Sequence, residues 1–587
     1  MSDDPKGYPR PTLQRQQWHS LNGRWEFAID ADARWQVPAD ARWDRTIAVP
    51  FAPETERSGI GETGYYRACW YRRTFEAPPL DAGDRLLLHF GAVDHDARVW
   101  VNGQRAIDHA GGYTPFSAEI TALLRAGGPQ EVVLRAGDDP HDLSQPRGKQ
   151  DWQREPHAIW YPRTTGIWQT VWMERVGRAS VERLRWTPDA GRWEIGLEAT
   201  IAGAEEAGLR LRVVLRARGR LIADDTYAVT GREVTRRIAL ADPGIDDARA
   251  ELLWSPGRPT LIDAEIELID ASGAVVDAVR SYTALRTAGV EGDRFVLNGR
   301  PYRLRMVLDQ GYWPESGLTA PSDEALRRDV ELAKEMGFNG VRKHQKIEDP
   351  RYLYWADRLG LLVWEEMPSA YRFARDAVGR LVREWMDVIA RDAGHPCIVA
   401  WVPFNESWGV PDLPTSAPQR AYVRAVYELT KALDPTRPVI GNDGWEHVAA
   451  DVVGIHDYDA DPGALARRYA SREAIAELIA LGRPGGRMLT VGGFDAAGKP
   501  VMVSECGGIG FAADAANTWG YVRASSAEDL AARYEALMRA LRGTPALAGF
   551  CYTQFADTYQ EANGLLYADR RAKFDLGRMR AATRGRA

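Results

Sequence analysis

The alternation of hydrophobic and polar residues changes about halfway along the chain. Up to about residue 180, short apolar runs are separated by Gly, Asn, Asp and Pro, which is typical of a β sandwich or jelly roll. From about 181 to 285, apolar and polar residues alternate strictly, and this pattern favours an immunoglobulin-like β-sandwich. The polar loop 140–163 is unusually long, and loops of that length in compact domains are often functional.

From about residue 286 the pattern becomes strand, helix, strand. Ser322 is placed to cap a helix that ends at Gly337, and further helices are predicted at 377–392, 418–433, 462–481 and 527–541. Apolar strand segments are predicted at 302–308, 339–342, 361–364, 398–404, 439–441, 452–455, 501–503 and 548–552. Such strand–helix repeats predict a (β/α)8 TIM barrel. We therefore expect a jelly-roll domain at 1–180, an immunoglobulin-like sandwich at 181–285 and a barrel at 286–587.

Two glutamates each follow a buried strand of this barrel. The apolar segment 398–404 leads directly into Asn405 and Glu406, and the segment 501–503 leads into Ser504 and Glu505. Strand ends of a barrel open on one face, which is where barrel enzymes carry their chemistry. Two carboxyls facing across a sugar are the working groups of most glycosidases, one acting as an acid and one staying ionised. Taken singly, each glutamate is as well explained by a surface position or a structural ion pair.

Other polar and aromatic residues at the strand ends are candidates for substrate binding. Tyr458 is placed to hold the Glu505 carboxylate by a hydrogen bond. The candidates are Asn405, His344, Trp445, His456, Tyr458 and Gln554, with Asp443 on the same rim. For His344 a solvated basic turn with Arg342 and Lys343 remains an alternative, and for His456 a purely structural role. The pair Glu365–Glu366 favours a rim salt bridge over catalysis. Cys506 has no His–Asn companion pattern that would support a cysteine enzyme.

Composition excludes several classes of partner. The net charge of -7 argues against a nucleic-acid partner, and no nucleotide-binding glycine motif is present. The four cysteines have neither metal spacing nor a dense disulfide pattern, which fits a reducing compartment. We expect no metal and no cofactor. No apolar run is long enough to span a membrane and no signal peptide is visible, so we predict a cytoplasmic protein. The 21 Trp and 22 Tyr suit a carbohydrate partner, although sandwich cores are their commoner use. Long sandwich edges make a homo-oligomer plausible.

The motifs together resemble glycoside hydrolase family 2, the family of many β-galactosidases, β-glucuronidases and β-mannosidases. The resemblance covers nearly the whole chain, through LNGRWEF at 21–27, GGYTPF at 111–116, TTGIWQTVW at 164–172, LNGRPYRLR at 297–305, His395 to Glu406, and PVMVSECG at 500–507. It implies retention of configuration, with Glu406 as acid/base, Glu505 as nucleophile and Asn405 on the sugar 2-hydroxyl. The two carboxyls should then lie about 5–5.5 Å apart.

Three departures from the family pattern bear on the substrate. Asp309 and Gln310 stand where the family usually has a His-Glu pair, which makes a metal requirement doubtful and suggests extra hydrogen bonds to the sugar. Glu561-Ala562-Asn563 lacks the Lys of the Asn-x-Lys that holds a glucuronide carboxylate. The usual Trp after strand 8 is replaced in the stretch 552–554. The chain looks like a divergent branch, similar to β-galactofuranosidases.

The predicted function is a retaining exo-β-glycosidase acting on galactose-configured or related neutral sugars. A β-glucuronidase or an arabinosidase of the same family is the alternative. From another class, the alternative is a carbohydrate-binding protein that has lost catalysis, although binding alone would not need both glutamates.

Overall fold

The computed structural model describes residues 6–512 and 517–585 of the chain. Two antiparallel sheets form the first layer pair: a six-stranded sheet in the order β3-β2-β4-β10-β7-β8 and a four-stranded sheet in the order β1-β12-β5-β9. The strands are β1 (Trp18–Ser20), β2 (Gly23–Asp30), β3 (Arg45–Val49), β4 (Ala68–Phe75), β5 (Arg85–Phe90), β6 (Val93–Asp94), β7 (Asp96–Val101), β8 (Gln104–Ala110), β9 (Phe116–Glu119), β10 (Gln130–Gly137), β11 (Gly166–Ile167) and β12 (Val171–Val176). Short 3-10 turns lie at Pro38–Asp40, Glu56–Ser58 and Thr121–Leu123. One apolar core, with Phe27, Leu88 and Val99 fully buried, receives side chains from both sheets.

A second sandwich follows, built from a three-stranded sheet in the order β13-β14-β17 and a four-stranded sheet in the order β16-β15-β18-β19. Its elements are β13 (Ser180–Asp189), β14 (Glu194–Ala202), β15 (Arg210–Ala217), β16 (Arg220–Ala228), β17 (Glu233–Ala239), α1 (Asp246–Leu252), β18 (Ile262–Ile269) and β19 (Val275–Thr283). In β18 every second residue is buried, which is the period that the sequence shows there. This region has its own core, which contains Leu211, Val213 and Ile266.

The third region begins with three short antiparallel strands, β20 (Ala288–Glu291), β21 (Arg294–Leu297) and β22 (Arg300–Pro301). A curled parallel sheet follows, in the order β26-β25-β24-β23-β31-β28-β27. Its strands are β23 (Leu304–Asp309), β24 (Gly340–Lys343), β25 (Leu362–Glu366), β26 (Ile398–Val402), β27 (Val453–His456), β28 (Val501–Gly507) and β31 (Gly549–Thr553). The small pair β29 (Ile509–Gly510) and β30 (Val522–Arg523) lies outside this sheet. The strands β26 and β28 are buried along their whole length, as expected of strands covered on both faces.

The segment 439–443 takes the place between β26 and β27 without forming a regular strand. It makes isolated parallel bridges to β26 and to the residues that follow it: Val439 pairs with Trp401, and Asp443 pairs with Asn405. On its other side, His456 N donates to Gly444 O at 3.3 Å. The predicted fifth strand is therefore an irregular part of the barrel wall.

Helices cover the parallel sheet. They are α2 (Asp323–Glu335), α3 (Pro350–Leu359), α4 (Arg375–Asp392), α5 (Ala417–Leu433), α6 (Pro462–Arg468), α7 (Arg472–Leu481), α8 (Ala527–Arg542) and α9 (Leu576–Arg584). Ser322 caps α2, since its side chain accepts from Ala325 N. The single helix predicted at 462–481 is wrong, because Ser471 accepts from Ala474 N and starts a second helix there. Among the described residues, no helix is long and apolar enough to cross a membrane.

The long loop 140–163 of the first region lies against the carboxyl end of the barrel. Arg147 N and Gly148 N both donate to Ser369 O, at 3.0 and 3.1 Å, and Tyr371 N donates to Leu143 O at 2.9 Å. Gly148 has φ +60°, and a Cβ there would lie 2.3 Å from Gln345 O, so only glycine fits this close approach. The loop therefore forms part of the wall around the strand ends.

Candidate active site

Glu406 and Glu505 face each other at the carboxyl end of the barrel. Glu505 lies on β28, and Glu406 follows β26 by four residues. Carboxylate oxygens of the two residues lie within 4.8 Å of each other. The side chain of Glu406 is 15% exposed and that of Glu505 is 6% exposed, so Glu406 is the more accessible of the two carboxylates to solvent.

A strained turn presents Glu406. Both Glu406 and Ser407 have positive φ, +51° and +58°, which is uncommon for residues other than glycine. The turn is held from the segment 439–443, because Glu406 N donates to Asp443 O at 2.9 Å and Ser407 N donates to Asn442 Oδ1 at 3.0 Å. Local strain of this kind persists only where the surroundings fix it, and it is common at functional sites.

The Glu505 carboxylate is surrounded by donors. Arg342 Nη1 donates to Oε1 at 2.8 Å, Tyr458 OH donates to Oε2 at 2.5 Å, and His456 Nε2 lies 3.3 Å from Oε1. Burial acts most strongly and raises the pKa of Glu505, but His456 and Arg342 together outweigh it and hold the pKa below its usual range. The geometry thus keeps this carboxylate ionised.

His456 lies between the two glutamates. Its Nδ1 is 2.7 Å from Glu406 Oε1, and its Nε2 contacts Asp443 Oδ2 at 3.4 Å as well as Glu505. Burial lowers its pKa, but Glu505, Asp443 and Glu406 raise the pKa to about 10. His456 is therefore a cation at neutral pH that contacts both glutamates directly, and its role in substrate binding stays a prediction.

Arg342, on β24, is the central residue that sequence reasoning missed. It binds Glu366 at 2.6 Å, Asp443 at 2.9 Å and Asn405 Oδ1 at 2.5 Å, in addition to Glu505. The alternative of a solvated basic turn is wrong, because Arg342, Lys343 and His344 are all buried. Glu366 forms the predicted rim salt bridge, with Arg342. Glu365 lies on the outward face of the same strand, against Asp392. Burial and, after it, the charge of Asp392 raise the pKa of Glu365 well above its usual range.

Several buried polar atoms near the glutamates lack a partner among the described residues. Asn405 Nδ2, Gln310 Oε1 and Trp445 Nε1 are such atoms. Unpaired buried groups are costly, and a site that binds hydroxyls is a common reason for them. Trp445 lies beside His456, with ring centroids 5.6 Å apart, and His344 lies beside Trp408 at 5.8 Å.

The residues that depart from the family pattern form two inner contacts. Asp309 makes an ion pair with Lys343 at 2.6 Å, so its charge is already matched. Gln310 Nε2 donates to Gln554 Oε1 at 2.9 Å.

Cys506 is fully buried, and burial raises the pKa of its thiol, which disfavours the thiolate that a cysteine nucleophile would need.

A second cluster with metal-binding residue types lies away from the cleft. Asp357, His395 and Cys397 are all buried. The carboxylate of Asp357 already accepts from Tyr282 OH at 2.8 Å, from His395 Nδ1 at 2.6 Å and from Cys397 N at 2.7 Å. Because Tyr282 lies on β19, these hydrogen bonds link that strand to the barrel.

Fold and site together define a parallel barrel with two buried glutamates at its carboxyl end and two accessory β sandwiches. The model of the TIM barrel domain of glycosyl hydrolases family 2 matches residues 289–467, and the model of the family's sugar binding domain matches 18–136. The chain belongs to glycoside hydrolase family 2, as its motifs indicated.

Curated relatives agree with this assignment, and a solved structure agrees with the fold. The chain is 28% identical to a β-galactosidase of Thermoanaerobacter pseudethanolicus over 72% of its length, which spans about half (53%) of that protein. It is 26% identical to a β-glucuronidase of Paenibacillus borealis, covering 74% of each. The structure of a Bifidobacterium dentium β-glucuronidase complexed with coumarin-3-O-glucuronide superposes with a TM-score of 0.79 at 22% identity, over 99% of this chain and 98% of that one. The predicted multidomain fold with a TIM barrel is confirmed.

Proposed function

We propose that the chain is a retaining exo-β-glycosidase that hydrolyses O-glycosidic bonds by double displacement. One observation carries this proposal: carboxylate oxygens of Glu406 and Glu505 lie within 4.8 Å of each other. Retaining enzymes have carboxyls about 5–5.5 Å apart, whereas inverting enzymes need about 6.5–9.5 Å to admit a water molecule. The short separation favours direct attack by one carboxylate.

Glu505 is the nucleophile in this proposal, because Arg342 and His456 stabilise its charged form. Its oxygen bonds to the anomeric carbon while the bond from that carbon to the glycosidic oxygen breaks. Glu406 gives its proton to the departing oxygen. Glu406 then takes a proton from water, which attacks the same carbon and releases Glu505. The free amide Nδ2 of Asn405 is placed to donate to the sugar 2-hydroxyl.

The chain's division into regions has a role in this proposal. We propose that 286–587 is the catalytic domain, that 1–180 contributes the loop 140–163 to the cleft, and that 181–285 packs beside the barrel. The loop bonds to Ser369 and Tyr371, which follow β25, so it lies beside the strand ends, where it could limit the site to a terminal sugar.

The sugar is the finer question. Names among the relatives include both a β-galactosidase and a β-glucuronidase, so they support a glycosidase without selecting a sugar. The preference for a neutral, galactose-configured sugar stays a prediction, as does the cytoplasmic location. Asp309 is matched by Lys343, which leaves it less able to select such a sugar than its position in the sequence suggests.

The test is a panel of nitrophenyl glycosides assayed with three variants. The panel contains β-galactopyranoside, β-galactofuranoside, β-galacturonide, β-glucoside, β-glucuronide, β-mannoside and α-L-arabinosides. Glu505→Ala and Glu406→Gln should each lose most turnover. Glu365→Gln is the matched control, since Glu365 lies on a neighbouring strand but faces away from the cleft, and it should keep its activity.

The stereochemistry is tested separately. Azide should rescue Glu505→Ala and give the glycosyl azide of inverted configuration, while the native enzyme should first release the anomer with the configuration of its substrate, as followed by proton NMR. Full activity in Glu505→Ala, or a first product of the opposite anomeric configuration, contradicts the mechanism. Sugar binding without turnover by the native chain would favour the binding-protein alternative.

A further inference from the structure

Lys149 is a buried ammonium in the loop 140–163 that the mechanism above does not use. The residue is only 3% exposed. Its Nζ lies over three aromatic rings, 5.3 Å from Trp160, 5.3 Å from Tyr161 and 5.6 Å from Trp408. Aromatic faces attract a cation, but they do not replace the hydrogen bonds that an ammonium loses on leaving water.

Backbone contacts, and not its charge, hold Lys149 in place. Tyr161 N donates to Lys149 O at 2.8 Å, and Gln150 bridges to Tyr161. On the other side, Gly148 N is bound to Ser369 O of the barrel. Among residues 6–512 and 517–585, Nζ has neither a hydrogen bond nor an ion pair within 4 Å. The protein therefore positions an ammonium and leaves its donors unused.

The nearby carboxylates surround the ammonium without pairing with it. Burial lowers the pKa of Lys149 most strongly, and Glu561, Glu505 and Glu406 act against that effect. Glu561 is the strongest of the three, yet its oxygens already accept from Tyr161 OH and, at 3.1 Å, from Asn563 Nδ2. Trp408, which Lys149 contacts, belongs to the same turn as Glu406, and Glu406 is one of the carboxylates whose charge raises the pKa of Lys149. Lys149 thus lies at the edge of the space where substrate would bind.

We propose that Lys149 determines specificity by binding a carboxylate of the substrate, so that the enzyme prefers acidic glycosides to the neutral, galactose-configured sugars that the sequence alone predicts. This rests on the glycosidase function proposed above. A carboxylate gives the ammonium the charged acceptor that it lacks, and charge-assisted hydrogen bonds are about twice as strong as neutral ones. The loop after β31 has no lysine in the stretch 561–563, and the cation comes instead from the first region of the chain. The carboxylate belongs either to the terminal sugar or to the leaving group.

The experiment compares kcat/KM for substrates matched except for the carboxylate. Nitrophenyl β-galacturonide is paired with β-galactoside, and β-glucuronide with β-glucoside, for a carboxylate on the sugar. A carboxynitrophenyl β-galactoside is paired with the nitrophenyl one, for a carboxylate on the leaving group. In one pair the native enzyme should prefer the acidic substrate at least 10-fold. Lys149→Met should reduce that ratio 10- to 100-fold, and Lys149→Arg should restore part of it.

Lys499→Met is the matched control. Lys499 also lies over an aromatic ring, 5.6 Å from the Phe494 centroid, but it precedes β28 and so sits at the opposite end of the barrel. The ratio of kcat/KM for acidic over neutral substrates should be the same in Lys499→Met as in the native enzyme. If Lys149→Met lowers kcat/KM equally for acidic and neutral substrates, or if no pair shows an acidic preference, the proposal is overturned.

A binding measurement separates this proposal from the glycosidase mechanism. Galacturonate and glucuronate are titrated into the Glu505→Ala variant, with tryptophan fluorescence as the readout because Trp160 and Trp408 line the site. Binding of an acidic sugar that depends on Lys149, without turnover by the native chain, supports the Lys149 assignment and overturns the proposed catalysis. Turnover of neutral glycosides only leaves the catalysis standing and overturns the Lys149 assignment.

Discussion

Replacing His456 by Gln removes the positive charge that lies between the two glutamates. The imidazole is 3.3 Å from Glu505 Oε1, and with its pKa raised to about 10 it stays charged through the neutral range. Two opposite charges at that distance attract by about 5 kcal/mol at an effective dielectric constant of about 20. Arg342 remains 2.8 Å from the same oxygen, and water will fill part of the space, so only a fraction of this is lost.

The direction in which the pH profile moves follows from the direction of the pKa shift of Glu505. His456 helps to hold the pKa of Glu505 below its usual range, so without it that pKa rises. The nucleophile must be ionised, and the acidic limb of the kcat/KM profile reports the free enzyme. An opposite charge at this range lowers a carboxyl pKa by about 1–3 units. The acidic limb of His456→Gln should therefore move to higher pH by a similar amount.

The assay is kcat/KM from pH 3.5 to 9 on the best substrate of the panel. His447→Gln is the matched control, since His447 is equally buried and donates from Nε2 to Gly454 O at 2.8 Å. Burial lowers the pKa of His447, whereas that of His456 is raised, so the comparison separates the loss of a charge from the loss of a buried ring. An acidic limb that stays in place in His456→Gln, moves downward, or moves equally in both variants refutes the reasoning.

Four further outcomes follow from single contacts. Tyr458→Phe loses a hydrogen bond to a charged group, worth about 1.5–3 kcal/mol, and should lower kcat/KM by roughly 10- to 100-fold in steady-state assays. Gly148→Ala meets Gln345 O and should lower both activity and the melting temperature; unchanged values would show that the loop can move aside. Ser322→Ala should cost about 1 kcal/mol in urea unfolding at unchanged kcat/KM, through loss of the α2 cap. The raised pKa of Glu365 makes the native state less stable as pH rises above the unfolded value, so Glu365→Gln should melt higher than the native chain at pH 8 and equally below about pH 4.5.

The sequence allowed the two glutamates to be located, because a buried strand that changes abruptly to polar residues marks the carboxyl edge of a parallel sheet. Tyr458 was placed beside Glu505 for the same reason, and the structure has the bond at 2.5 Å. Arg342 was missed because Arg-Lys-His looks like an exposed turn, and a strand buried on both faces gives no alternation to show which side chains point inward.

Lys149 was missed for a different reason. It lies in a loop without periodicity, and its place in the cleft depends on backbone bonds to Ser369, which is more than 200 residues away in the chain. The irregular segment 439–443 was predicted as a strand because short apolar runs look alike in strands and in barrel walls that pair only at isolated points. Long-range pairing of this kind has no local signature.

The crossing of loop 140–163 over the barrel divides the enzyme's tasks between distant parts of one chain. The proposed nucleophile lies on a barrel strand and the proposed acid/base in the turn after another, whereas the ammonium of Lys149 belongs to a loop between two strands of a sandwich. A substitution at Lys149 changes one side chain of this loop and no residue of the barrel strands. Selectivity in this scaffold can therefore drift or be re-engineered through side chains of one loop, as long as the close contact of Gly148 with the barrel is kept, while the proposed acid, the proposed nucleophile and their supporting charges stay as they are.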